Sequence, residues 1–162
     1  MGPRLLRDTM RNAMLVGLTV DSMRLADVFV ALEVLRRQPG VDVQRIMTLG
    51  QGASGVLWLY AAILDPGVHQ VMLVNPPSTH ADAPIFLNIL RHTDLPEATA
   101  LLAPRHLSFL ARVPGAFDYT RHIYSLYGNP KICPAPWTLP ESSKAATITS
   151  PRQGFDRQPE GR

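Results

Sequence analysis

The chain has 162 residues, 46% of them apolar and 18% charged, which suits one domain around one hydrophobic core. The net charge is +3, but the arginines are scattered (Arg36-Arg37, Arg45, Arg105, Arg112, Arg121) without a basic block or interleaved aromatics, which argues against a nucleic-acid partner. A single cysteine, Cys133, excludes an intrachain disulfide and a CxxC metal site, and no apolar run approaches the roughly 20 residues of a membrane span.

Residues 1–12 read as a loose polar lead-in carrying Arg4, Arg7 and Arg11. The apolar run over 12–20 is short and is followed by Asp21 instead of a small-residue cleavage site, so it reads as a strand or buried loop and not as a signal peptide. A cytoplasmic location is the expectation that follows. Residues 22–38 form an amphipathic pattern, with Leu25, Val28, Phe29, Leu32 and Leu35 on one stripe and Arg24, Asp27, Glu33 and Arg36 off it. Asp21 or Ser22 is the expected cap of that helix, and Pro39-Gly40 its stop.

Next comes Arg45-Ile46-Met47-Thr48-Leu49-Gly50-Gln51-Gly52-Ala53-Ser54-Gly55, followed by an apolar run to Leu64. A short apolar segment, a knot of glycines and a helix-forming segment predict a parallel strand at about 45–49, a tight turn and a buried helix over 56–64. Two chemistries use such a turn: the nucleophile elbow G-x-S-x-G and the dinucleotide-binding G-x-G-x-x-G. The second is satisfied letter for letter by Gly50, Gly52 and Gly55. Its companion acidic residue at the end of the next strand is missing, because Asn75-Pro76-Pro77 stands there. A dinucleotide-binding domain is therefore the alternative reading.

Gln70 to Val74 is a continuous apolar run and predicts a second strand buried on both faces. A short helix is expected over 84–91, and another begins at Asp94, with Glu97 three residues on to complete a capping box. A third strand over 106–111 and a helix over 117–127, ended by Gly128, complete the pattern. Alternating strands and helices predict an α/β fold: a three-layer open parallel sheet with helices on both faces. From Asn129 to Arg162 six prolines occur among Ser, Thr, Gln, Lys and Arg without periodicity, so 129–162 reads as a disordered Pro-rich tail with no strand in it.

Three stretches carry a family likeness: Arg36-Arg37-Gln38-Pro39-Gly40-Val41-Asp42-Val43-Gln44-Arg45-Ile46 running into the glycine turn, the turn with its Ala61-Ala62-Ile63-Leu64-Asp65-Pro66 helix end, and Asp94-Leu95-Pro96 leading to Ala103-Pro104-Arg105-His106-Leu107. On these, residues 13–128 resemble the α/β-hydrolase superfamily, closest to acetylxylan-esterase-like bacterial hydrolases, and match the middle and late part of that fold. The resemblance implies Ser-His-Asp acyl transfer on a small ester, with backbone N–H groups of the elbow holding the oxyanion and no metal or cofactor. With Gly50 as the first elbow glycine, Gly52 takes the serine position, Ala53 the following oxyanion position and Ser54 the second glycine position. Shifting by two makes Ser54 the nucleophile and Gly55 its neighbour, but puts β-branched Val56 where a small residue is wanted. Asp118 is the positional candidate for the acid, and His122, four residues on, the nearest histidine, although an Asp118–His122 pair on one helix face is the plainer reading. His69, His80, His92 and His106 lack metal-ligand spacing. The implied protein is an esterase-like hydrolase of little or no activity, or a non-catalytic module. Its sheet would be completed by a second copy or by a partner chain.

Overall fold

The computed structural model describes residues 3–110, 113–128 and 132–134. Four parallel strands, β1 (Ile46–Gln51), β2 (Val68–Val74), β3 (His106–Phe109) and β4 (Ile132–Pro134), lie side by side in chain order. Thr48 faces Val71, which faces Leu107, which in turn faces Ile132, so the ladder is in register across all four. The chain is thus an α/β fold with an open parallel sheet, and the three expected strands stand at the expected places. The fourth corrects the sequence reading. Ile132-Cys133-Pro134 adds to β3 although prolines flank it, and Pro134 is tolerated because an edge strand need not donate on its open side. The expected disorder of 135–162 lies outside the described residues.

Among the described residues five α-helices accompany the sheet: α1 (Pro3–Leu15), α2 (Val20–Arg36), α3 (Gly52–Leu64), α4 (Leu95–Ala100) and α5 (Asp118–Leu126). The lead-in and the 12–20 run are therefore one helix and a turn, not a strand or loop. Pro3 stands at its first position, where the missing N–H costs nothing, and Gly17 (φ +78°) turns the chain out of it. The cap of α2 is Thr19, not Asp21 or Ser22. Its hydroxyl accepts from Ser22 N–H while Ser22 Oγ accepts from Thr19 N–H. The expected capping box on α4 is present, with Glu97 reaching back to Asp94 N–H. The helix expected over 84–91 is reduced to one 3-10 turn at Ile89–Arg91, with a separate one before it at His80–Asp82.

Helix α3 packs on β1 and β2, α2 packs on α3, and α4 packs on α5. Val56, Leu59, Ala61 and Ala62 from α3 meet Ile46, Val71, Leu73, Leu107 and Phe109 from the strands, and Phe117 and Tyr124 close the far side. Burying side chains of this size stabilises the fold by about 1.5–3 kcal/mol each relative to exposure. Burial alternates along β1: Ile46, Thr48 and Gly50 face the helices, while Met47, Leu49 and Gln51 on the opposite face are exposed.

Candidate functional site

The turn from β1 into α3 lies at the C-terminal edge of the sheet, where open parallel sheets place their ligands. Its shape follows from a close crossing of strand and helix. A Cβ on Gly50 would lie 2.3 Å from Gly55 Cα, and one on Gly55 would lie 2.9 Å from Gly50 carbonyl oxygen. Gly50 and Gly55 thus form one contact in which neither backbone leaves space for a side chain. Between them the chain reverses at Gly52, whose φ of +56° is left-handed. Gly52 is the apex of the turn, and its Cβ direction points into open space with no atom within 4 Å.

Ser54 sits in the first turn of α3, exposed, and its hydroxyl makes no hydrogen bond among the described residues. Val56 is 1% exposed and belongs to the core. The first N–H groups of α3 have no capping side chain, since Gln51 offers none. Ala53, the candidate oxyanion position, is exposed beside them.

The remaining candidates are placed apart from one another in hydrogen bonding. Asp118 begins α5, with its side chain 68% exposed, and pairs with Arg121. The expected Asp118–His122 pair is therefore not the one formed. His122 is exposed, its carbonyl accepts from Ser125 Oγ, and its ring has no hydrogen bond among the described residues. No group of three or more His, Cys, Asp or Glu among the described residues could hold a metal ion. No described helix is long and apolar enough to cross a membrane.

One histidine that sequence reasoning left in a loop is held firmly. His80, 6% exposed, shares a 2.7 Å hydrogen bond between its Nε2 and the Tyr60 hydroxyl on α3. Phe86 stacks edge-on against Tyr60 at 5.0 Å. Asp94 Oδ1 accepts from the backbone N–H of His80 at 2.7 Å and Oδ2 accepts from Thr79 Oγ1 at 2.7 Å, so the α4 cap also fastens the loop after β2. Burial holds His80 below the usual histidine range against the opposing Asp94 charge, and pushes the Tyr60 phenol up to about 12. The Nδ1 atom is buried beside the Pro84 backbone, outside hydrogen-bond geometry. Asp94 touches the backbone of His80 and not its ring, so the three do not form a nucleophile–base–acid relay. They form a polar clasp that closes the loop onto α3. Only the capping box was visible in the sequence. Tyr60 and His80 lie 20 residues apart with no periodic link.

No protein-family model matches the chain, and no curated protein matches it. Among solved structures it is similar to a Bacteroides fragilis protein provisionally assigned as an acetyl xylan esterase, with a TM-score of 0.56 and 18% identity over 75% of this chain. The chain spans 37% of the length of that protein, and the likeness is one of fold.

Proposed function

We propose that this chain is an α/β-hydrolase-like domain, esterase-like in form, whose elbow has lost the acyl-transfer nucleophile and which therefore has little or no hydrolytic activity. The observation that supports this reading is the conformation of Gly52. A nucleophile elbow presents its reactive hydroxyl from a sharp, strained strand-to-helix turn. Here the left-handed residue at the apex is Gly52, pinned on both sides by the Gly50–Gly55 contact. It has no hydroxyl to offer. Ser54 lies two residues further on, within the helix, and no histidine bonds to it among the described residues. A serine without a base is a poor nucleophile at neutral pH, and uncapped N–H groups alone supply only a residual rate.

If turnover remains, a small ester is the substrate class the elbow geometry favours. The dinucleotide reading uses the same glycines, so the Gly50–Gly55 approach does not separate the two. The position that would hold a ribose carries Val74 and Asn75, with no carboxylate. A serine-directed fluorophosphonate tests the proposal, read by intact mass. The expected result is no adduct on the folded chain. A stoichiometric adduct mapped to Ser54 would contradict it.

A further inference from the structure

At the opposite end of the sheet from the elbow, Arg36, Val43, Gln44, Pro66, Gly67, His69 and Arg105 line a cleft of about 510 Å³. We infer that this cleft binds the phosphoryl group of a small phosphorylated molecule, with Arg36, Arg105 and His69 as its donors. Three separate features of the backbone aim those side chains. The β1–β2 register slips between Ile46 and Met47, leaving His69 as the extra residue of a bulge. Bulges of this kind redirect a side chain out of the sheet. Gly67 lacks the Cβ that would lie 2.5 Å from Arg36 Nη2, and Asp65 holds that buried nitrogen at 2.7 Å, so the guanidinium is fixed while the side chain as a whole stays 26% exposed. Arg105 commits Nη1 to the carbonyls of Asp65 and Val68, both at 3.1 Å, which leaves Nε and Nη2 outside those bonds.

The charge balance suits an anion. Among the described residues no carboxylate lines the cleft, and the nearby Asp65 is already bound to Arg36 and to Gly67 N–H. That leaves Arg105 uncompensated there, with His69 and the neighbouring His106 ring, 5.5 Å away, as further polar groups. The donors come from α2, from a bulge in β2 and from the lead into β3, and all three line the same cleft. A tetrahedral phosphate offers oxygens in three directions, whereas a planar carboxylate offers two. The cleft leaves room for a small organic group beside the phosphate.

The test is calorimetric titration of the intact chain with inorganic phosphate, and separately with acetate. Two variants accompany it, His69→Ala at an exposed position and Gly67→Ala, which displaces Arg36 without removing a charge. The expected result is saturable phosphate binding that weakens by about tenfold or more in His69→Ala, with acetate binding much weaker. Circular dichroism verifies that each variant is folded. If Gly67→Ala does not fold, His69→Ala decides alone. No saturation by roughly 20 mM phosphate, equal affinity in His69→Ala, or acetate binding as tightly as phosphate would each overturn the inference.

Discussion

Alanine at three glycines separates the forces that shape the β1–α3 turn. Gly50→Ala puts a methyl 2.3 Å from Gly55 Cα and 3.0 Å from Trp58 Cδ1, where carbon atoms rest at about 3.5–4 Å. The nearest obstacle is helix backbone and cannot rotate away, so α3 has to move off β1 by more than about 1 Å. That exceeds ordinary overpacking and should cost about 3 kcal/mol or more, a large share of a total stability of about 5–15 kcal/mol. Gly52→Ala meets no atom within 4 Å, and its cost is the left-handed φ of +56° alone, about 1–2 kcal/mol. Gly115→Ala meets neither obstacle and should stay within about 0.5 kcal/mol of the parent. Thermal and urea unfolding followed by circular dichroism should rank them Gly115, Gly52, Gly50 from mildest to most severe. The melting temperature of Gly50→Ala should fall by roughly 10 °C or more. If it melts within a degree or two of Gly115→Ala, the strand–helix crossing is not as close as described.

Other outcomes follow from the clasp and the turn. Asp94→Ala removes the α4 cap together with the anchors on Thr79 and His80, and should cost about 2–3 kcal/mol in urea unfolding. Because burial holds His80 low, the unfolded chain takes its proton first, so stability should fall as pH drops below about 6.5. For Asp94, burial alone would raise the pKa, but hydrogen bonds from Thr79, His80 and Leu95 outweigh it. Its contribution is therefore present above the ordinary 3.8 and lost as pH falls from there through the lower folded value. Urea midpoints of the parent and of His80→Gln across this range check both signs; an identical slope near pH 6 in the two proteins would count against the clasp. Ser54→Ala should change stability by no more than about 0.5 kcal/mol, as expected for an exposed hydroxyl without a partner. Gly52→Ser should fold at the same cost as Gly52→Ala yet gain no esterase activity, since it supplies a hydroxyl without a base.

Where local chemistry decided the structure, the residues announced it. The glycine knot demanded a tight turn, the apolar run Gln70 to Val74 demanded a covered strand, and Asp94 with Glu97 wrote out a capping box. Where tertiary context decided, the residues were silent. Ile132-Cys133-Pro134 is too short and too proline-flanked to read as a strand, and becomes one because β3 offers an edge. The 12–20 segment has a strand's apolar run on its own, yet its first residues only finish the helix that starts at Pro3. The candidate acid and base suffered the same limit. Spacing put Asp118 and His122 on one face, but Arg121, three residues from Asp118, forms the pair. The Tyr60–His80 bond depends on a loop whose path no periodicity predicts. Gly52 was legible in one respect only. Its identity leaves that position without a hydroxyl, while its place at a left-handed apex came from the backbone.

The central claim is that the elbow is built but chemically empty, and hydrolysis of a small activated acetyl ester by the purified chain tests it most directly. The parent, Ser54→Ala and a heat-killed sample are compared at neutral pH. All three should give the same background rate. Turnover well above the heat-killed sample that Ser54→Ala abolishes would contradict the account and make Ser54 the nucleophile.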